Sequence, residues 1–347
     1  MPTWKPITTV SALAVLALSD AFRNGKSKLE YCPLDILMKE RTKTLLILVV
    51  LLVCSLLPAF AESPFSQQDS SLVIKEVLMK TSVAYLWLSP VVHAFTVVLL
   101  VALYFFGSRV GRVADGFFAI LFLFIAFSNH IAVTDTYGLA VLTGNLVPIL
   151  IVGLFWVWEV YKPQNDYVFE KLPAWRYWVL PFAFLAFWFP IDTQLNPDFS
   201  PLLLLNSSFG VMYCPTTPVI IALLTLIYPR VNRYVLTTTS FVGLIMGLFN
   251  AMSYFIMPGY TLWNLVLHMP LISISLYGLL IPILVTRVTF FPQQFASTTG
   301  QKTLLCHASE NKLRNKNWGF AGNITKLVGF KFQPITTAFW RVLHLFA

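Results

Sequence analysis

The sequence predicts an all-α fold: a polytopic bundle of transmembrane helices with about seven spans after a cleaved signal peptide. Three observations support this. Hydrophobic residues make up 57% of the 347 residues and charged residues only 11%, whereas a soluble domain is about one quarter charged. Apolar runs long enough to cross about 30 Å of hydrocarbon recur along the chain. Lysine and arginine concentrate in alternate connections between these runs, which is the pattern of the positive-inside rule.

The N-terminal region has the pattern of a secretory signal placed some way into the chain. Basic residues precede a short apolar run, and Ala59 and Ala61 then form an Ala-x-Ala cleavage site. We interpret 38–61 as a signal peptide and 1–37 as a mis-called N-terminal extension. The mature chain would then begin at Glu62. The alternative is an uncleaved first helix.

The seven apolar segments that follow form one predicted membrane domain, 62–286. The fourth segment is short and contains two prolines, so the apolar stretch 201–205 behind it is expected to be a re-entrant or interfacial piece. The basic region 287–347 is predicted to be a cytoplasmic tail. The segments cover residues 83–106, 117–134, 137–161, 177–191, 207–228, 235–256 and 263–286.

The distribution of positive charge predicts the orientation in the bilayer. One set of alternate loops, between residues 107 and 287, carries eight Lys and Arg residues, and the other set carries only Lys75 and Lys80. The predicted location is the plasma or inner membrane, with the mature N-terminus outside and the C-terminus in the cytoplasm. The basic tail is expected to bind anionic lipids or to remain a weakly folded, solvated segment. No nucleic-acid motif accompanies the net charge of +9, so nucleic acid is not an expected partner.

Polar residues inside the predicted spans share a similar depth. Counted along each helix, most of them fall in the outer third, and the histidine of the first span lies nearer the middle. This predicts one polar layer, whereas the alternative is a set of separate hydrogen bonds between helices. The layer consists of His93, His130, Asn145, Cys214, Thr216, Thr217, Asn250 and His268.

The most distinctive short motif is Cys214-Pro215-Thr216-Thr217-Pro218. Two prolines three residues apart remove two backbone donors, and broken helices of this kind often line cavities. A substrate pocket is therefore predicted from Cys214, Pro215, Thr216, Thr217, Asn145 and Asn250. A purely structural kink is the alternative.

The same motif resembles an uncharacterised bacterial and archaeal membrane family, domain-of-unknown-function 6064. The resemblance covers roughly 200–286 and rests on Phe209-Gly210 followed by the Cys-Pro-Thr-Thr sequence that opens an apolar helix. The family pattern has proline where Tyr213 stands and an apolar residue where Pro218 stands. The resemblance implies a multi-span fold and supplies no activity or substrate.

Three functional hypotheses follow. The first is a small-solute or ion permease with its polar site in the outer third of the bundle. The second is a metal- or haem-binding redox or metal-handling protein, with His93, His130, His268 and Cys214 as ligands. The third is an accessory subunit whose aromatic helix faces pack against other membrane proteins. The sequence contains no hydrolase, phosphate-loop, zinc-protease or dinucleotide motif, so an enzyme is the least supported class. Glu159 is the only acid expected near a span.

Overall fold

The computed structural model describes residues 33–66, 69–169, 172–192, 196–256 and 261–290. The chain divides into two units, Met1–Thr286 and Arg287–Ala347, and the description below concerns the first. The predicted extension falls almost entirely outside the described residues, as does nearly all of the predicted tail.

The described chain is mostly helical, with three short strands. The strands are β1 (Phe60–Ala61), β2 (Ile131–Thr134) and β3 (Gly138–Val141). The helices are α1 (Pro33–Ser55), α2 (Ser70–Ala84), α3 (Ser89–Phe106), α4 (Gly111–His130), α5 (Thr143–Tyr161), α6 (Val179–Trp188), α7 (Leu203–Asn206), α8 (Tyr213–Ile227), α9 (Arg233–Ile256) and α10 (Leu262–Phe290).

Within the described residues, five helical segments are long and apolar enough to cross a membrane. In chain order they are Ser70–Arg109, Gly111–His130, Thr143–Tyr161, Arg233–Phe255 and Leu262–Val285. Two shorter apolar helices, Thr42–Ser55 and Tyr213–Ile227, accompany them. The predicted class, a bundle of apolar helices suited to a membrane, is confirmed.

The centre of the bundle lies where α4, α5 and α9 meet. Trp156 is fully buried, with its ring 5.1 Å from that of Phe118 and 6.2 Å from that of Phe122. Its indole N–H donates to the Thr239 hydroxyl at 3.2 Å. A large aromatic side chain of this kind is stable inside when its one polar atom has a partner.

A β-hairpin replaces the ends of two predicted apolar segments, 117–134 and 137–161. The chain leaves the helical conformation after His130, pairs β2 with β3 in antiparallel register, and resumes as a helix at Thr143. Gly138, at the start of β3, has φ +65°, a backbone conformation that suits glycine in a tight turn. The segments were predicted as helix because their β-branched and small residues are also apolar.

Helix α2 packs on the small sheet and forms a cap over this end of the bundle. Val73 and Val77 are fully buried with Ala140 from β3. The Glu76 carboxylate accepts the backbone N–H groups of Asp135 and Thr136 at 2.9 and 3.1 Å. We call this end of the bundle the hairpin end, and the opposite end, which carries residues 162–169, the loop end.

The segment predicted to be a signal peptide is packed into this fold. Leu51 of α1 is fully buried, and the two residues of β1 pair with Val141 and Ala140 of β3. The Thr143 hydroxyl donates to the Pro58 carbonyl. Cleavage after Ala61 remains a prediction, and it would remove all of these contacts.

Candidate functional site

A cavity of about 340 Å³ lies at the hairpin end. Its walls come from α2, from α7 and the connections on either side of it, and from α8, α9 and α10. Most of the lining surface is apolar, although more than half of the lining residues are polar or charged. The volume is at the lower end of the range typical of small-molecule sites, about 300–1,000 Å³.

Three residues of the predicted polar layer line this cavity together: Cys214 at the start of α8, Asn250 near the end of α9, and His268 near the start of α10. The Asn250 amide nitrogen lies 3.5 Å from the Cys214 sulfur and donates to the Met246 carbonyl at 2.8 Å. The His268 ring binds the carbonyl of Asn264, one turn earlier, through Nδ1 at 2.6 Å.

His93 lies behind the cavity wall and does not line it. Its Nε2 is 3.0 Å from the hydroxyl of Ser207, a lining residue, and its Nδ1 is 2.8 Å from the Ser89 carbonyl. The ring is fully buried between Phe187 and Phe209, at centroid distances of 4.8 and 5.1 Å. His93 therefore helps to hold the wall in place.

Two other members of the predicted layer are not cavity residues. His130 Nδ1 binds the carbonyls of Ile125 and Ala126 in its own helix, each at 3.2 Å. Asn145 lies in the first turn of α5 and is absent from the cavity lining. The pocket set predicted from sequence is thus brought together only in part.

The Cys-Pro-Thr-Thr-Pro motif begins a helix and does not interrupt one, contrary to prediction. Helix α8 starts at Tyr213 after an extended Met212, so Pro215 occupies the first turn, where an N–H has no intrahelical partner. Only Pro218 removes a bond from the helix interior. Thr216 accepts the Gly210 N–H at 2.8 Å and donates to the Met212 carbonyl at 2.6 Å.

Thr216 and Thr217 therefore contribute to the packing of α8 and not to the cavity. Both side chains are fully buried, and neither residue lines the cavity. Pro215 is also buried in the first turn of α8. Of this motif, only Cys214 lines the cavity.

The remaining polar lining includes three charged residues. Lys75 of α2 forms no ion pair with any described residue, and Asp192 and Asp198 belong to the connection after α6. Backbone N–H groups close to the two acids bind their carboxylates, that of Asn196 at 2.8 Å and that of Ser200 at 2.9 Å.

The predicted metal ligands are not assembled. Within the described ranges, no group of three or more His, Cys, Asp or Glu side chains is placed to hold a metal ion. His93, His130 and His268 each bind a carbonyl of their own helix. The geometry therefore gives the metal or haem hypothesis no support.

A second polar cluster lies at the loop end. It includes Asp115, which falls outside the predicted span 117–134. Asp115 lies in the second turn of α4, because this helix begins at Gly111, six residues before the predicted segment. Its Oδ1 accepts the Tyr167 hydroxyl at 2.6 Å and the Asn165 amide at 3.0 Å. Its side chain is fully buried, and Oδ2 has no hydrogen-bond partner in the described structure.

Glu159 lies in the same cluster, and both of its carboxylate oxygens are used. Oε1 accepts the backbone N–H groups of Gln164 and Asn165 at 2.5 and 2.6 Å, and Oε2 accepts the Asn232 side-chain amide at 2.6 Å. The Asn232 N–H in turn donates to the Asn165 side chain at 2.8 Å. Buried carboxylates are stable when several donors satisfy them, so this cluster joins the ends of α4, α5 and α9.

Comparison of the chain with protein-family models, with curated proteins and with solved structures finds no match.

Proposed function

We propose that this chain is a multi-pass membrane protein that binds a small solute in the hairpin-end cavity, as the outward-facing site of a permease. The observation that carries the proposal is the convergence of Cys214, Asn250 and His268 on one cavity. These residues lie on three consecutive helices, α8, α9 and α10, and they line the same volume. Polar side chains in a membrane span are costly unless they find partners or water, and the polar residues of this cavity supply such partners.

The proposed topology has seven spans after α1: α3, α4, α5, α6, α8, α9 and α10. Eight Lys and Arg residues in the alternate loops from residue 107 to residue 287 support a cytoplasmic loop end. The hairpin end and its cavity then face the outside. This orientation is the same whether 38–61 is cleaved or retained, because α1 would cross from inside to outside in either case.

The test measures from which side of the membrane Cys214 is accessible and whether the protein transports a solute. Cys214 is kept as the single cysteine by replacing Cys32, Cys54 and Cys306 with alanine, and right-side-out vesicles are treated with a membrane-impermeant thiol reagent. Modification of Cys214 from the outside is expected, and proteoliposomes containing the parent chain should accumulate or release at least one solute of a broad panel.

Two results would contradict the proposal. The first is modification of Cys214 only from the cytoplasmic side, which would place the cavity on the wrong face. The second is an absence of flux for every solute and ion tested, in vesicles whose protein is shown to be folded and inserted.

A further inference from the structure

The hydrogen bonds that His268 and Asn250 make within the protein determine which ligand groups these two side chains can bind. His268 Nδ1 lies 2.6 Å from the Asn264 carbonyl oxygen, and a carbonyl only accepts. Nδ1 therefore carries the proton, and in the uncharged ring Nε2 is an acceptor. Among the described residues no carboxylate bonds to this ring.

The orientation of the Asn250 amide is fixed by the same reasoning. The atom 2.8 Å from the Met246 carbonyl must be the nitrogen, and this nitrogen is also the one beside Cys214. The amide oxygen is then on the other side of the group, and no described residue donates to it. Asn250 thus contributes a second acceptor.

The start of α10 holds His268 in this state. The Asn264 side-chain oxygen accepts both the N–H and the hydroxyl of Thr261, at 3.0 and 2.9 Å. This cap fixes the first turn of α10, and the Asn264 carbonyl within that turn fixes the histidine ring. The acceptor at Nε2 is therefore preorganised before a ligand arrives.

The charged residues of the lining disfavour an anion beside the two acceptors. Lys75 is the only Lys or Arg among the described lining residues, and it lies on α2, whereas Asp192 and Asp198 add negative charge. A carboxylate or phosphate beside His268 Nε2 and the Asn250 oxygen would meet two acceptors, and the two acids repel it further, which is unfavourable. A hydroxyl or amino group would instead donate to both.

We infer that the ligand is a small solute with an apolar body and a head that donates N–H or O–H hydrogen bonds to Asn250 and His268. The inference rests on the proposed solute-binding function and names its ligand class. The donor head comes from an alcohol or from an amine, and both satisfy the two acceptors. The apolar body suits walls formed by side chains such as Leu78, Met79 and Leu267.

The experiment measures protection of Cys214 from alkylation by iodoacetamide, followed by intact mass, in the purified full chain with Cys214 as its single cysteine. The probes are 1,4-butanediol beside its dimethyl ether, butylamine beside its trimethylammonium counterpart, and butyrate. The diol and the amine are expected to slow alkylation, and the ether, the quaternary amine and butyrate are not. The shift in thermal unfolding with the same probes gives a second readout.

Variants test whether the two acceptors cause the preference. His268→Leu and Asn250→Leu should each weaken protection by the diol about fivefold, the effect of losing one hydrogen bond. Met79→Leu, in the apolar wall, should retain the protection of the parent. The unfolding midpoint of each variant without a probe shows whether it is folded.

The possible outcomes separate the two proposals. Protection by butyrate, or equal protection by the methylated compounds, would overturn the donor preference and leave solute binding in place. Protection by no compound in either readout would overturn the inferred ligand class, and the flux experiment would then decide the proposed function independently.

Discussion

The Tyr167 hydroxyl donates a 2.6 Å hydrogen bond to the Asp115 carboxylate, and this contact ties the connection after α5 to the second turn of α4. Both side chains are fully buried. Asn165 extends the contact, since its side-chain amide also donates to Asp115 and its backbone N–H donates to Glu159. The loop end of the bundle is thus held by two carboxyl groups that share one connecting segment.

Asp115 and Glu159 should respond differently to loss of charge. Asp115 uses one oxygen, so Asp115→Asn keeps that acceptor and should cost at most about 1 kcal/mol. Glu159 uses both oxygens, so Glu159→Gln turns an N–H₂ group toward existing donors and should cost about 2–5 kcal/mol. The measurement is the thermal unfolding of the two isosteric variants in the same detergent. Equal destabilisation would mean that the donors around Glu159 are not essential.

The pH dependence of Tyr167→Phe provides a separate test of the same cluster. Burial, and then the adjacent Asp115 charge, raise the pKa of the Tyr167 hydroxyl well above its usual range. An unfolded tyrosine ionises near pH 10. The stabilisation from this hydroxyl is therefore fully present below about pH 10 and is lost as the pH rises toward the raised pKa of the folded state.

The parent chain should accordingly be more stable than Tyr167→Phe at pH 8, by about 1.5–3 kcal/mol for a hydrogen bond to a charged group. That advantage should shrink by up to about 1.4 kcal/mol for each pH unit above 10. Unfolding midpoints of the two proteins from pH 8 to pH 11 check this. A constant difference across the series would contradict it.

The substitution Gly144→Ala tests whether α1 is retained in the mature protein. A Cβ at Gly144 would lie 2.6 Å from the Leu57 carbonyl oxygen, whereas a Cβ at Gly116 would meet nothing closer than 4.0 Å. If α1 and β1 are retained, Gly144→Ala should destabilise by about 1–3 kcal/mol. Gly116→Ala, the matched control, should be neutral or slightly stabilising.

N-terminal sequencing of the purified protein decides the same question directly. The packing of Leu51 and β1 into the fold favours retention of the segment before Glu62, whereas the Ala-x-Ala pattern predicts its removal. A mature chain that begins at Glu62, together with no loss of stability in Gly144→Ala, would instead support the predicted signal peptide.

The orientation of the bundle is tested with reporter fusions. A reporter fused after Arg112, Lys171, Arg233 or Arg287 should be cytoplasmic, and one inserted within 192–200 should be external. The reason is that eight cations in one set of loops against two in the other strongly favour one direction of insertion. The opposite readings at these sites would invert the proposed topology and move the cavity to the cytoplasmic face.

Composition and the spacing of apolar runs predict the helical class, the order of the apolar helices and three cavity residues. Apolar length is a local property, because about 20 consecutive residues decide whether a helix can cross a bilayer. Cys214, Asn250 and His268 could be found in this way, since polar residues stand out in an apolar run. The same local criterion misjudged the hairpin, where a short apolar run is equally compatible with a strand.

Which polar side chains contact each other depends on the packing of the helices, and it is seen only in the tertiary structure. Tyr167 reaches Asp115 across 52 residues of sequence, and Asn232 reaches Glu159 across 73. The structure likewise separates His93 and His130 from the cavity, although the sequence predicts one polar layer that contains them and His268. Depth along a helix can be counted from sequence, but the direction of a side chain around the helix axis depends on how the helices pack, and packing is set by contacts between distant residues.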